Sequence, residues 1–500
     1  MTLRRQDLPL WLTAGLFGIL YLALAGRYDV FRNELYFIIC GRHPAFGYAD
    51  QPPLVPLIAA ATQAFGNSTW LLRLPAVLAA IAIIPLTARF AQLLGAAGWA
   101  AWFAALATAI APMLMGIGTT VTTETFEPVT WTALAFLATQ AWTRNDRRAL
   151  IWAGLIAGIA LEAKYGMAIW LIGLTVGIAA TPARRMLVWR EFWLGVLIVS
   201  LIAAPSVIWQ AVNGWPFLEV TKNHSARNLT GSPLRFFIGQ AVAMNLLLAP
   251  LWIAGIVGPF VIAQLKEFRF LSIAFPVAAA IIIASHGKDY YLGPAYPTLF
   301  ALGAAVCGGI PRWLKLTWTA GAVVLSAIAA PVVLPLLDPP ALARYLDRHH
   351  LRPRADETAG IGAPLTQVFS DEVGWRSFEK QVAAAYNALP PEDRVHAAIL
   401  AVDYGEAAAL DYYGPADGLP PALSGQNQYF LWGPRGYDGS VILAVNGRPE
   451  RWKRICESSD VLGTFGAPYA MPYENDRPII LCHGLKANLS ETWQRFKRFE

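Results

Sequence analysis

Charge is scarce in this chain. Asp, Glu, Lys and Arg make up 14% of its 500 residues, against roughly a quarter in soluble globular proteins, so an ordinary water-soluble fold of this length is excluded. There is no basic stripe either. The formal net charge is +6, but the cations are scattered between apolar runs, which argues against a nucleic-acid partner and for a membrane topology bias. No glycine-rich nucleotide loop and no repeat at solenoid spacing occur. The apolar run Leu8–Ala25 meets no small-residue cleavage site before Arg27, so a first membrane helix is expected in place of a signal peptide. Of the four cysteines, Cys40 and Cys307 lie in or beside apolar sequence, while Cys456 and Cys482 lie in the polar C-terminal part. Two free thiols or, in an oxidising compartment, a disulfide are both open for that second pair.

What the chain has instead is apolar length. Hydrophobic residues reach 56% and tryptophans number 19, a composition suited to a bilayer and its boundaries. At about 20 residues per crossing, about eleven candidate spans emerge. They are Leu8–Ala25, Trp70–Leu94, Trp99–Ile117, Phe126–Thr143, Ala149–Leu161, Tyr165–Ala180, Phe192–Val212, Asn245–Leu265, Phe270–Ala284, Tyr290–Cys307 and Trp313–Leu337. Starting inside with Arg4 and Arg5, the basic clusters at Arg144–Arg148, Arg184–Arg190, Lys266–Arg269 and Arg312–Lys315 all fall on one side, as the positive-inside rule requires. The stretch Ala149–Ala180 keeps this bias only as two short helices joined near Lys164. Residues 1–338 are thus expected to form a mainly α, polytopic transmembrane bundle.

The apolar spans end at Leu337. Residues 339–500 are expected to be an extracytoplasmic α/β domain, with strand-like runs Val395–Val402 and Ser440–Val445 and helical stretches Ser370–Leu389 and Glu406–Tyr413.

Ionisable residues gather in the opposite, outer loops. The first holds Asp29, Arg32, Asn33, Glu34, Arg42, His43, Asp50 and Gln51, then an apolar run, Leu54–Phe65, suited to an interfacial helix. Later outer loops hold Glu124, Glu127, Glu162, Lys164, His224, His286, Lys288 and Asp289. Solvated surface ion pairs would account for these residues as well as function would. Glu162 and Asp289 are placed to pair with Lys164 and Lys288.

Asn33-Glu-Leu-Tyr-Phe37 followed by Gly47-Tyr-Ala-Asp-Gln-Pro-Pro-Leu54 resembles the first outer loop of the polyprenyl-phosphate-sugar glycosyltransferases. That is the GT-C superfamily of protein O-mannosyltransferases and lipid A aminoarabinose transferases. Thr123–Trp131, Lys164-Tyr165, Lys288–Pro297, Asp403–Ala407 and Ser424–Pro434 follow in matching order. The resemblance implies transfer of a sugar from a polyprenyl-phosphate donor to an acceptor hydroxyl at the outer face of a cell (inner) membrane, the acceptor being an envelope glycan, lipid A or a protein. A carboxylate would take the hydroxyl proton and cations would hold the departing phosphate.

The family's base stands where this chain has Asn33, which cannot serve, so Glu34 is expected to replace it, with Asp29 as the other choice. Asp50 matches an acidic residue near the lipid phosphate, and Gln51 stands in place of a phosphate-binding lysine. Glu124 matches the acidic residue of the second outer loop. Lys164 and Lys288 are the expected phosphate ligands, with His224, Tyr290 and Tyr291 as substrate contacts. A divalent cation held by Asp50 and His286 is a further expectation. Two other classes stay open: a transporter or flippase for a lipid-linked sugar, and a catalytically weak glycolipid-binding relative, which Asn33 favours.

Overall fold

The computed structural model describes residues 7–227, 232–351 and 361–500. Arg4 and Arg5 lie outside the described residues. The chain divides into two compact units, each assembled from three separated stretches.

The first unit comprises Met1–Arg27, Trp70–Ile208 and Thr230–Leu336 and is helical. Among the described residues, four helices are long and apolar enough to cross a membrane: Thr69–Leu93, Arg190–Val212, Ala263–Ala284 and Arg312–Val333. Two bent pairs, Met167–Ala179 with Pro182–Val188 and Pro233–Ala243 with Leu246–Val261, bring the number to six if each is one span. The sequence count of about eleven relied on including shorter apolar helices. Local breaks account for part of the difference. The run expected over Trp99–Ile117 stops at Ile110 and restarts at Pro112, because proline has no N–H to continue the ladder. The run expected from Tyr290 opens with a 3₁₀ turn, Asp289–Ala295, before the helix Tyr296–Val306. The expected break near Lys164 is present, between Ala149–Ala163 and Met167–Ala179.

Apolar side chains face outward on this unit. Leu197, Leu201 and Ile208 on one long helix, and Leu316, Val324 and Ile328 on another, are exposed. In water these would form large sticky patches; in a bilayer they are the lipid-facing surface, with backbone polar groups satisfied inside each helix. Inside, small residues let backbones meet. Gly255 abuts the Leu299 carbonyl and Gly303 the Leu251 carbonyl, so helices Ala249–Val261 and Tyr296–Val306 approach where no Cβ would fit.

The second unit comprises Tyr28–Thr69, Trp209–Leu229 and Leu337–Glu500. The first outer loop therefore groups with the C-terminal residues. Its sheet contains β1 (Ala397–Ala401), β2 (Leu423–Ser424), β3 (Val441–Val445), β4 (Cys456–Phe465) and β5 (Arg477–Leu485), in the order β2-β1-β3-β5-β4. β1 runs parallel to β2 and β3, whereas β5 runs antiparallel to β3 and β4. β1 and β3 are buried at every position, which explains their continuous apolar runs. Helices Trp375–Asn387 and Tyr404–Tyr413 occupy the stretches expected to be helical. Cys456 and Cys482 are bonded as a disulfide between β4 and β5, while Cys40 and Cys307 are buried free thiols. Ala49 and Val220 share one core with Ala398, Ile442 and Ile480, so all three stretches of the unit contribute to its interior.

Candidate functional site

In the second unit the first loop folds into helix Arg32–Arg42 and the short helix Leu54–Gln63. Glu34 sits at the third position of the former. Its Oε2 accepts from the Phe31 N–H at 2.9 Å, and its side chain is fully buried, so it satisfies a donor at the helix start. Asp29 is half-exposed; its Oδ1 accepts from the Tyr413 hydroxyl at 2.9 Å, and its Oδ2 lies 3.3 Å from Arg376 Nε. Asn33 Oδ1 accepts from the Tyr404 hydroxyl at 2.8 Å.

Asp50 is held at both oxygens. The Tyr36 hydroxyl donates to Oδ1 at 2.8 Å and Asn427 Nδ2 to Oδ2 at 3.2 Å. Burial pushes its carboxyl up to about 6, against the lowering effect of those two donors. Gln51 beside it is buried and supplies no charge.

The first unit gathers a different set. Lys164 Nζ lies 3.0 Å from Glu124 Oε1 and 3.1 Å from Glu127 Oε2, and 4.3 Å from the centre of the Tyr291 ring. The Tyr291 and Tyr290 rings meet edge to face at 4.8 Å, and Lys288 Nζ stands 5.6 Å from the Tyr290 ring centre. Five residues singled out in sequence, Glu124, Lys164, Lys288, Tyr290 and Tyr291, thus form one chain of contacts: carboxylate, ammonium, two rings, ammonium. Burial raises the Glu124 carboxyl, but the adjacent Lys164 ammonium overrides it and holds the group at about 2. Lys164 pairs with Glu124 and Glu127. Glu162, its neighbour in sequence, instead accepts from the Ser206 hydroxyl at 2.7 Å. Glu127 was the missed member; its position one helical turn after Glu124 was the available signal.

His224 lies half-buried on helix Pro216–Arg227 of the second unit, and His286 is exposed in the first unit. Among the described residues no three His, Cys, Asp or Glu side chains gather as a metal-ligand set, and no step is derived through a cation.

A second set of charges surrounds Arg32. Its guanidinium lies 3.9 Å from Asp371, 3.7 Å from Asp403 and 4.0 Å from Glu474, donates to the Tyr473 hydroxyl, and stacks 5.1 Å from the Tyr404 ring centre. Glu406, fully buried, receives Asn446 Nδ2 at 2.6 Å. Burial and the neighbouring Asp403 push Glu406 up to about 8, and burial likewise raises Asp371 and Glu474.

A family model described as dolichyl-phosphate-mannose-protein mannosyltransferase matches residues 50–209. Among curated proteins none matches the sequence. Two solved structures are similar over nearly the whole chain, both of ArnT from Cupriavidus metallidurans. The one bound to undecaprenyl phosphate is 15% identical, covering 94% of this chain and 97% of its own, at a TM-score of 0.61. The apo form has the same identity and coverage, at 0.63. The chain thus shares the fold of these two structures, and residues 50–209 match the mannosyltransferase family model.

Proposed function

We propose that this protein moves a sugar from a polyprenyl-phosphate donor to an acceptor hydroxyl at the outer face of a cell membrane. The observation that carries this reading is the contact chain Glu124–Lys164–Tyr291–Tyr290–Lys288 in a fold shared with an undecaprenyl-phosphate-bound protein. Two ammonium groups flanking aromatic rings suit a phosphate on one side and a sugar face on the other. The basic clusters on one side of the spans support the outward orientation of the acidic loops. The Cys456–Cys482 bond supports an oxidising compartment for residues 339–500.

In the reaction the acceptor oxygen bonds to the anomeric carbon, the bond from that carbon to the phosphate oxygen breaks, and the acceptor proton passes to a carboxylate. Lys164 and Lys288 take the charge that grows on the phosphate. For the base we assign Asp29 over Glu34. A general base must reach the hydroxyl, and Glu34 is buried against its own helix start, whereas Asp29 is half-exposed.

Purified protein incubated with polyprenyl-phosphate pentoses and hexoses tests this through release of polyprenyl phosphate. Asp29→Asn is expected to lose at least about a hundredfold in kcat, while Glu34→Gln keeps turnover and most of the stability, because a glutamine oxygen at this position accepts the same Phe31 N–H. Lipid binding by the wild type with no turnover from any donor overturns the enzyme reading in favour of a glycolipid-binding protein. Uptake of a lipid-linked sugar into proteoliposomes without release favours a transporter.

A further inference from the structure

The stretch Ser424-Gly-Gln-Asn-Gln-Tyr-Phe430 is built more tightly than a surface connection needs. Arg498 N–H donates to the Gly425 carbonyl at 2.8 Å and Asn427 N–H to the Arg498 carbonyl at 3.0 Å. Gly425 lies so close to the Phe496 carbonyl that a Cβ would collide with it. Asn427 is held at φ +47°, in the left-handed region that asparagine tolerates better than most side chains. A strained backbone of this kind persists only where surrounding contacts over-determine it.

Those contacts converge on Asp50. Asn427 is 2% exposed, and its amide has a fixed sense. Oδ1 accepts from the backbone N–H of residue 500 at 3.0 Å, so the NH2 end is the one turned to Asp50 Oδ2. The next residue acts twice. Gln428 N–H donates to the Tyr36 hydroxyl at 3.1 Å, which leaves that hydroxyl's proton for Asp50 Oδ1. Gln428 Oε1 accepts from Ala49 N–H at 3.1 Å, tethering the residue before Asp50. Both carboxylate oxygens and the adjoining backbone are thereby fixed by two consecutive residues far along the chain.

We propose that Asn427 and Gln428 are positioning residues that hold the Asp50 carboxylate in the one orientation the transfer reaction uses, Asn427 directly and Gln428 through Tyr36. This rests on the glycosyl-transfer reading above and adds to it a role for a motif in the C-terminal sequence. The hydrogen bonds leave Asp50 aimed without a rotamer search at each turnover, an advantage that appears in kcat more than in binding.

A double-mutant cycle tests it. Asn427→Gly removes the amide while suiting the positive φ, so the fold is kept. It is expected to lower kcat about ten- to a hundredfold with donor KM changed less than about threefold. In an Asp50→Asn background the same substitution should cost nothing further. An equal loss in both backgrounds overturns the proposal, because a merely structural role is independent of Asp50. Should Asn427→Gly fail to fold, Tyr36→Phe enters the same cycle with the same two outcomes. Infrared spectra of protein labelled with 13C-carboxyl aspartate provide a readout independent of turnover. The band lost in Asp50→Asn should shift in Asn427→Gly. If the wild type turns over no donor, the enzyme reading fails and takes the catalytic purpose of the hold with it; an unmoved band in a wild type that does turn over overturns the positioning role alone.

Discussion

Replacing Arg32 by methionine keeps the aliphatic stem and removes the guanidinium from among Asp371, Asp403 and Glu474. Two terms are lost. One is the hydrogen bond to Tyr473, worth about 1 kcal/mol. The other is charge balance for buried carboxylates, where removing one partner costs about 3–5 kcal/mol. The second term depends on pH. Asp371, Glu474 and Glu406 all have raised carboxyls in the fold, so the stability they contribute is full below the ordinary carboxylate range and drains as pH rises through the folded values. Arg32 lowers Asp371 and Glu474, so without it both rise further and take up protons more readily in acid. The penalty therefore falls in acid toward about 1 kcal/mol, that of the lost hydrogen bond, and grows with rising pH, to about 3–5 kcal/mol in all once the variant must bury bare charge. Hydrogen exchange of the full-length protein, compared with wild type at each pH, measures this locally. Amides of helices Trp375–Asn387 and Tyr404–Tyr413 should exchange about a hundred to a few thousand times faster at pH 8 and within about tenfold at pH 5. A change of only a few fold at pH 8, or one of equal size at both pH values, refutes the reasoning.

Lys164→Met strands Glu124 and Glu127 and should cost about 3–5 kcal/mol. Adding Glu124→Gln, which removes the carboxylate that Lys164 keeps ionised, should restore most of the thermal stability but not donor affinity, and recovery of both would show that the lysine is structural alone. Replacing Cys456 and Cys482 by serine opens a loop of 26 residues, for which loop entropy predicts a loss of about 3.5 kcal/mol; denaturant titration with and without reductant should agree with the double variant. Single cysteines at Arg376 and His286, both exposed, should react with an impermeant maleimide from the same, outer side of intact cells, and labelling from opposite sides would end the proposed orientation.

Legibility in the sequence followed the range of the interaction. The break at Lys164 and strands β1 and β3 were visible because each is written in a local run of residue types. The helix Pro216–Arg227 was not, because its composition, with Glu219, Lys222, Asn223, His224 and Arg227, reads as a polar connection. The set around Lys164 was half visible: the lysine and Glu124 stood out, but nearness in sequence pointed to Glu162 where space chose Glu124 and Glu127. The surroundings of Glu34 were hidden for a related reason. A carboxylate in a motif carries no mark showing that its oxygen closes its own helix. The grip on Asp50 was illegible, since Asn427 is 377 positions away and no local pattern encodes such a pairing.

The three-stretch make-up of the second unit has a consequence for biosynthesis. Its first stretch ends at Thr69, yet the partners that hold Asp50 lie at 427 and 428, and their own turn is pinned by residue 498. At about 5–20 residues per second, a ribosome needs on the order of a minute after making the early loop before the last piece emerges. Throughout that interval the loop has no lasting home, so a nascent chain is inert and exposed to quality-control proteases until residue 498 has emerged.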